Sequence, residues 1–119
     1  MSSNIAQATQ TQSQLIFQNG LRLLQQGKLE ETDKLFLDAY ALDSKNVDAL
    51  NLLGIRSYQK QDYKSALDFL NQANLIHRNS PHTLSNLGLT HNALCEFSEA
   101  LHFFDLAIEY DPNISRGSQ

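Results

Sequence analysis

The stretch from residue 81 to residue 112, PHTLSNLGLTHNALCEFSEALHFFDLAIEYDP, decides the fold of this chain. Its apolar residues recur in steps of three and four, which is the spacing of one face of an α-helix, and the pattern breaks near Cys95. Pro81 suits the first helical position, and Ser80 before it suits a helix cap. The stretch therefore predicts two consecutive helices, at about 81–94 and 97–110, joined by a tight turn.

The same arrangement occurs three times, because Gly20, Gly54 and Gly88 recur with a period of 34 residues. This period divides the chain into blocks 13–46, 47–80 and 81–114. Five further columns match in size and polarity across the blocks: Ile16, Leu50 and Leu84; Leu29, Tyr63 and Phe97; Thr32, Ala66 and Ala100; Phe36, Leu70 and Phe104; and Ala39, Ala73 and Ala107. The remaining helices are predicted at about 13–26, 29–42, 47–60 and 63–77.

Small and capping residues stand where such helices need them. Gly27 suits the end of the first helix, and Asn46 can cap the third helix through its side chain. Gly54 permits close approach of the paired helix, and we expect a bulky residue there to cost about 1–3 kcal/mol by overpacking.

Composition and charge exclude several classes of function. The chain has 119 residues, of which 41% are hydrophobic, so it is one domain's worth of sequence. Its formal net charge is −4, and its nine Lys and Arg residues are spread singly. A non-specific nucleic-acid binder needs a basic surface to neutralise phosphates, so we expect no nucleic-acid partner. No apolar run reaches membrane-spanning length, so we expect no membrane partner either.

Residues 1–12 are rich in Ser, Gln, Thr and Asn and lack the basic start and apolar run of a signal peptide. We expect them to form a disordered polar leader to a domain of residues 13–114, with 115–119 as a short tail. An alternative is that the leader folds into its own groove or a neighbour's. The lone Cys95 offers no disulfide framework, and the whole pattern favours a cytoplasmic protein.

Catalytic and metal chemistry find little support in the sequence. His77, His82, His91 and His102 match no ligand spacing, and Cys95 has no identifiable base, so we expect no metal and no nucleophile. The acidic residues Glu30, Glu31, Asp33 and Asp38 fit a solvated helix face. We therefore expect no cofactor and no enzymatic activity.

The 34-residue pattern resembles the tetratricopeptide repeat (TPR). The third block carries the resemblance best, with Leu84, Leu87, Gly88, Phe97, Ala100, Phe104, Ala107 and Pro112. The first block departs from it, since Asn19 stands where Leu is usual, Thr32 replaces Ala, and Ser44 replaces Pro. The resemblance implies an all-α fold, a right-handed superhelical stack of three helix-turn-helix TPR hairpins (an α-solenoid), and a role in protein binding.

The resemblance also implies a concave groove lined by the first helix of each repeat. Transferred position by position, the groove residues are Gln14, Phe17, Leu21, Leu24 and Gln25, then Asp48, Asn51, Ile55, Tyr58 and Gln59, then His82, Ser85, Leu89, Asn92 and Ala93. This set is apolar and amide-rich, which suits a peptide or an amphipathic helix of a partner protein. The alternative for Phe17, Leu21, Ile55, Tyr58 and Leu89 is packing between neighbouring helices.

One known binding mode of the family is not expected here. TPR domains that hold the acidic C-terminal tails of heat-shock chaperones use a clamp of Lys, Asn and Arg side chains. The matching positions in this chain are Phe17, Leu21, Leu52, His82 and Asn86. None of them supplies the cationic pairing that a carboxylate needs.

The third block leaves open how its outer face is covered. Leu101, Phe103, Phe104 and Ile108 include residues that a following helix would cover, and residues 111–119 are too short for one. One explanation is a homo-oligomer through this uncapped repeat. The other is an N-terminal piece of a larger protein, such as the substrate-recruiting repeats of a bacterial glycosyltransferase or sulfotransferase.

Overall fold

The computed structural model describes residues 2–113, with side chains from residue 4 onward. Over this range the chain is all-α, with six helices and no strand. They are α1 (Ser2–Gln25), α2 (Leu29–Leu42), α3 (Val47–Gln59), α4 (Tyr63–Ile76), α5 (Pro81–Ala93) and α6 (Phe97–Tyr110). The predicted bounds of α2 to α6 agree with the observed ones to within one residue. The predicted tail, 115–119, lies outside the described residues.

The first helix is longer than the sequence pattern indicated. The expectation of a disordered leader over residues 1–12 is wrong for residues 2–12, which continue α1 toward the N-terminus. These residues contain neither Gly nor Pro, and they include three Gln and two Ala, which have high helix propensity. The Thr9 hydroxyl donates a hydrogen bond to the Ile5 carbonyl at 2.9 Å. Helix formation here needs only propagation from the packed segment that follows, without a new nucleus.

The contacts divide the chain into two compact units, Met1–Leu53 and Gly54–Gln119, and the boundary falls inside α3. In the first unit, α1 packs on α2 through two aromatic rings. Phe17 and Phe36 lie 5.3 Å apart between ring centroids, and Phe36 is fully buried. A Cβ atom at Gly20 would lie 2.7 Å from Cε1 of Phe36. Gly20 is therefore the residue that allows the Phe36 ring to approach α1.

A buried chain of hydrogen bonds joins the helices of the first unit. The Ser13 hydroxyl donates to the Ala39 carbonyl at 2.7 Å, and Nδ2 of Asn46 donates to Oγ of Ser13 at 2.9 Å. Oδ1 of Asn46 accepts from the backbone N–H of Ala49 at 3.1 Å. Asn46 thus caps α3, as its position in the sequence predicted, and it also links the start of α3 to α1 and α2.

In the second unit, small residues again set the distance between helices. Ala66, Ala73, Ala100 and Ala107 are buried, with at most 3% exposure. A Cβ atom at Gly54 would lie 2.6 Å from Cγ of Leu70, and one at Gly88 would lie 2.7 Å from Cε1 of Phe104. These contacts confirm that the glycine and alanine columns mark close helix packing.

Three helix ends share one turn geometry. Gly27, Gln61 and Cys95 have positive φ angles of 77°, 65° and 62°. In each turn the next residue's N–H bonds back to the carbonyl five residues before it, as in the bond from Asp62 N to Ser57 O at 2.9 Å. This is the Schellman arrangement, which satisfies the last carbonyls of a helix and requires a left-handed residue. Only Gly27 could be recognised in the sequence as such a residue.

The starts of helices are capped unevenly. Asp62 caps α4, because its Oδ1 accepts from the Ser65 N–H at 3.2 Å. Ser80 occupies the N-cap position before Pro81, as predicted, but its side chain makes no capping hydrogen bond. The fixed φ of Pro81 therefore has to define the start of α5 without a side-chain cap.

Candidate binding site

The second unit contains a pocket of about 230 Å³. It lies between the second half of α3 and the middle of α5, with α4 beneath. The lining residues are Gly54, Ile55, Tyr58, Gln59, Leu70, Asn86, Leu89 and Thr90. Residues 55, 58 and 59 share one face of α3, and residues 86, 89 and 90 share one face of α5, because neighbours three and four apart meet on a helix.

The base of the pocket includes a glycine, whose lack of a side chain leaves backbone in the lining. Gly54 has no Cβ, and an atom placed there would meet Leu70 at 2.6 Å. Leu70 is fully buried in α4 and becomes part of the pocket lining beside the bare backbone of Gly54. Gly54, which lets α3 and α4 approach each other, is therefore also part of the wall of the pocket.

Apolar side chains form most of the rim. Ile55 and Tyr58 are half-buried on α3, and Leu89 on α5 is 43% exposed. The ring of Tyr58 meets the ring of Tyr63 edge-on, with centroids 5.5 Å apart. Edge-on contacts of this kind stabilise the position of the ring in this wall of the pocket.

The polar lining consists of uncharged groups. The Thr90 hydroxyl donates to the backbone carbonyl of Asn86 at 2.7 Å, and Thr90 is fully buried. Oε1 of Gln59 accepts from Nη1 of Arg56 at 2.5 Å. Arg56 itself is 7% exposed. The lining contains no Asp, Glu, Lys, Arg or His, so the pocket is suited to an uncharged group with hydrogen-bonding capacity.

Four of the predicted groove residues meet at this pocket. Ile55, Tyr58, Gln59 and Leu89 all line it. The other predicted positions of the second unit, which are His82, Ser85, Asn92 and Ala93, are not part of the lining. His82 and Asn92 are exposed on α5, and Ser85 is half-buried.

The predicted groove residues of the first unit have other environments. Phe17 is only 4% exposed and packs against Phe36, so its side chain belongs to the core and is not an accessible groove contact. For Phe17 the structure agrees with the alternative, packing between neighbouring helices, because its side chain lies on the face of α1 that packs against α2. Nε2 of Gln14 donates to Oδ2 of Asp48 at 3.3 Å. Leu21, Leu24 and Asn51 are half-buried, and Gln25 is exposed.

Sequence reasoning missed several lining residues. The sequence patterns mark Gly54 and Leu70 as helix-packing residues. The family resemblance marks Asn86 only as a position of the acidic-tail clamp, and neither signal points to Thr90. Gly54 and Leu70 belong to two of the 34-residue columns, which was the available signal. The depth of the pocket could not be predicted from the sequence, because it depends on the distance between α5 and the backbone of Gly54.

Histidines elsewhere in the second unit take part in packing. Nδ1 of His91 lies 2.9 Å from Oε1 of Glu96, and its ring stacks on Phe103 at 5.3 Å. His102 meets the same ring edge-on at 5.5 Å. Among residues 2–113, no three His, Cys, Asp or Glu side chains are grouped so that they could hold a metal ion. In the same range, no helix combines the length and apolarity needed to cross a membrane.

Neither the models of known protein families nor the sequences of curated proteins match this chain. Solved structures do match it. The second TPR domain of Spaghetti (RPAP3), bound to HSP90 peptide SRMEEVD, has a TM-score of 0.82 at 20% identity, over 89% of this chain and 98% of that chain. MamA has a TM-score of 0.82 at 18% identity, over 96% and 67% of the two chains. The Arabidopsis OM64 TPR domain has a TM-score of 0.81 at 15% identity, over 87% and 86%.

These likenesses define the class of fold. The chain is an all-α protein of consecutive packed helices, like each of these structures. More specifically, it has the fold of tetratricopeptide repeat α-solenoids, which confirms the fold class that the 34-residue pattern predicted. At these levels of identity the comparison concerns the fold, and function has to be argued from the site.

Proposed function

We propose that this chain is a non-catalytic interaction scaffold that binds a peptide or an amphipathic helix of a partner protein, with the pocket of the second unit as its main contact. The observation that carries this proposal is the meeting of Ile55, Tyr58 and Leu89 around one apolar cavity. Exposed apolar side chains around a concave site, with a few polar groups, are the usual form of a binding site.

The polar groups of the pocket support a peptide ligand in particular. A peptide brings backbone N–H and C=O groups that cost free energy if they are buried without partners. Gln59 and Asn86 have amide side chains that both donate and accept. These groups can satisfy a peptide backbone while Ile55 and Leu89 contact its apolar side chains.

An acidic peptide is a poor fit. The RPAP3 domain of the same fold was solved with the HSP90 peptide SRMEEVD. In this chain the positions that match the acidic-tail clamp hold Phe17, Leu21, Leu52, His82 and Asn86. A carboxylate there would lose its hydration without gaining a Lys or Arg partner. We therefore expect SRMEEVD to bind this chain no better than a scrambled peptide of the same composition.

Selection from a random displayed peptide library tests this function. We expect the full chain to enrich a family of neutral, apolar-containing peptides, and the variant Leu89→Asp, which places a charge on the rim, to lose that enrichment. Leu75→Ala is the matched control, because Leu75 is 66% exposed on α4 and is not part of the pocket lining. Failure of the wild-type chain to enrich any peptide family, or equal enrichment by Leu89→Asp, would overturn the proposal.

A second candidate function, self-association, is favoured by the outer surface of α6. Phe97, Leu101 and Ile108 are 62%, 62% and 40% exposed. They are four and seven residues apart in turn, so they lie along one side of the helix. Such a row of exposed apolar residues is typical of an association surface. A second copy of the chain could cover it.

Molar mass measured by light scattering over a wide range of concentration tests self-association. If α6 pairs with a second copy, the mass rises above the monomer's 13.4 kDa, and Leu101→Asp returns it to the monomer value. A constant monomer mass for the wild-type chain at every concentration would exclude this candidate and leave the peptide-binding proposal unaffected.

A further inference from the structure

We infer that the pocket is an anchor site for one bulky apolar side chain, of leucine to phenylalanine size, on an uncharged peptide segment, and that Gln59 donates a hydrogen bond to the backbone carbonyl beside that side chain. This inference rests on the proposed function and names the chemistry of the partner at the same site. Its parts are the size of the cavity, its lack of charge and the orientation of the Gln59 amide.

The size of the cavity fits one large side chain. Its volume is about 230 Å³, whereas an apolar cavity of about 150 Å³ in another protein is large enough to hold benzene. Ile55, Tyr58, Leu70 and Leu89 supply apolar walls on both helices and at the base. An alanine side chain would leave most of this volume unfilled, so the site discriminates by the size of the residue that enters it.

The lack of charge sets the second requirement. No lining residue is Asp, Glu, Lys, Arg or His, and the whole chain has a formal net charge of −4. An anionic side chain would be desolvated in the pocket without a counter-ion, and the field of the whole chain would oppose its approach. The anchor residue and the peptide segment around it are therefore uncharged.

The orientation of Gln59 gives the third requirement. A guanidinium has donors only, so the bond from Nη1 of Arg56 must end on the Oε1 atom of the amide. The Nε2 donors of Gln59 are thereby left for a ligand at the pocket rim. Because Arg56 is 7% exposed, its side chain is held by its surroundings and acts as a positioning residue for Gln59.

Capped amino acids test the anchor chemistry without any partner protein. The full chain, labelled with ¹⁵N, is titrated with N-acetyl-phenylalaninamide, N-acetyl-leucinamide, N-acetyl-alaninamide and the α-amide of N-acetyl-aspartic acid, whose side-chain carboxylate is free, while NMR spectra are recorded. We expect the phenylalanine and leucine probes to shift the backbone signals of Ile55 and Leu89 and the side-chain Nε2 signal of Gln59, with affinity at least about tenfold above that of the other two. Equal responses to all four probes, or no response to any, would overturn the inference.

Variants then separate the roles of the lining residues. Ile55→Trp fills the cavity and should abolish the phenylalanine response, whereas Leu75→Ala on the exposed side of α4 should leave it unchanged. Gln59→Glu keeps the size and the contact to Arg56 but removes the donors, and should weaken the probe about tenfold. Arg56→Lys should retain probe binding while broadening or moving the Nε2 signal of Gln59. An unchanged Nε2 signal in Arg56→Lys would contradict the positioning role.

The two proposals fail in different ways. If library selection enriches peptides whose binding does not depend on a bulky apolar residue, the anchor inference is wrong and the scaffold function stands. If the phenylalanine probe binds at the pocket but no peptide is enriched, the anchor chemistry stands and the scaffold function is wrong.

Discussion

At the scale of single residues, the three Schellman turns differ in the residue that adopts the left-handed conformation. Gly27 has no steric penalty there, whereas Gln61 and Cys95 hold φ angles of 65° and 62° with a Cβ atom present. A left-handed conformation costs an ordinary residue about 1–2 kcal/mol. Glycine avoids this cost, but the greater entropy of its unfolded state offsets part of that advantage.

We therefore expect Gln61→Gly to raise the free energy of unfolding by about 0.5–1 kcal/mol, and Gly27→Ala to lower it by about 1 kcal/mol. Urea denaturation followed by circular dichroism measures both changes, with Gln26→Ala as a control just before the left-handed position. A loss of stability in Gln61→Gly would mean that the side chain of Gln61 contributes more than its backbone strain costs.

A second residue-scale feature is the carboxylate that caps α4. Hydrogen bonds from the Ser65 hydroxyl and then from its backbone N–H, with the nearby charge of Lys60, hold the pKa of Asp62 below its ordinary value of 3.8. A lowered pKa means that the ionised form stabilises the folded state above pH 3.8, and that this contribution is lost as the pH falls through the pKa of the folded state.

The stability difference between the wild-type chain and Asp62→Asn should accordingly be largest near neutral pH and shrink as the pH falls below 3.8. Urea midpoints of the two proteins across that pH range provide the measurement, and Asp68→Asn serves as a control on the same helix. A difference that stays constant with pH would show that the charge of Asp62 does not contribute to the cap.

At the scale of helices, packing depends on whether a neighbour can yield. A Cβ atom at Gly54 would meet Cγ of Leu70, the branch point of a fully buried side chain, at 2.6 Å. A Cβ atom at Gly88 would meet the ring edge of Phe104, a half-buried side chain, at 2.7 Å. The two distances are similar, but the Leu70 side chain is fully buried, whereas the Phe104 side chain is partly exposed.

We expect Gly54→Ala to destabilise the protein by about 1–3 kcal/mol, because the overpacking exceeds the gain in helix propensity. Gly88→Ala should cost less and stay within about 1 kcal/mol of the wild type, since the ring can move outward. Thermal and urea denaturation of the two variants, side by side, measures the difference. Equal losses would contradict the role assigned to the burial of the neighbour.

The helices show which parts of the fold could be predicted from sequence patterns and which could not. The columns of Ala66, Leu70 and Ala73 predicted α2, α4 and α6, and the columns of Leu50 and Gly54 predicted α3 and α5. Residues 2–12 belong to no such column, so periodicity gave no signal, and their helix depends on propensity and on continuity with Ser13 onward. The caps by Asn46 and Asp62 are local and follow residue type, but the missing bond at Ser80 depends on side-chain geometry that sequence does not encode.

At the scale of the whole molecule, the candidate site was predictable in part. The resemblance to the tetratricopeptide repeat assigned Ile55, Tyr58 and Leu89 to a groove, and these residues do line one pocket. It also assigned Phe17, which is a core residue, because a groove position and a packing position differ by a small rotation of the helix. The volume of the pocket depends on the depth between α3 and α5, which follows from packing rather than from residue type.

The most direct test of the central claim is the affinity of a library-selected peptide, measured by fluorescence anisotropy, for the wild-type chain, Tyr58→Ala and Leu75→Ala. We expect Tyr58→Ala to bind at least about tenfold more weakly while its circular dichroism spectrum is unchanged, and Leu75→Ala to bind like the wild type. Equal affinities for all three proteins would contradict the claim that the pocket of the second unit is the binding site.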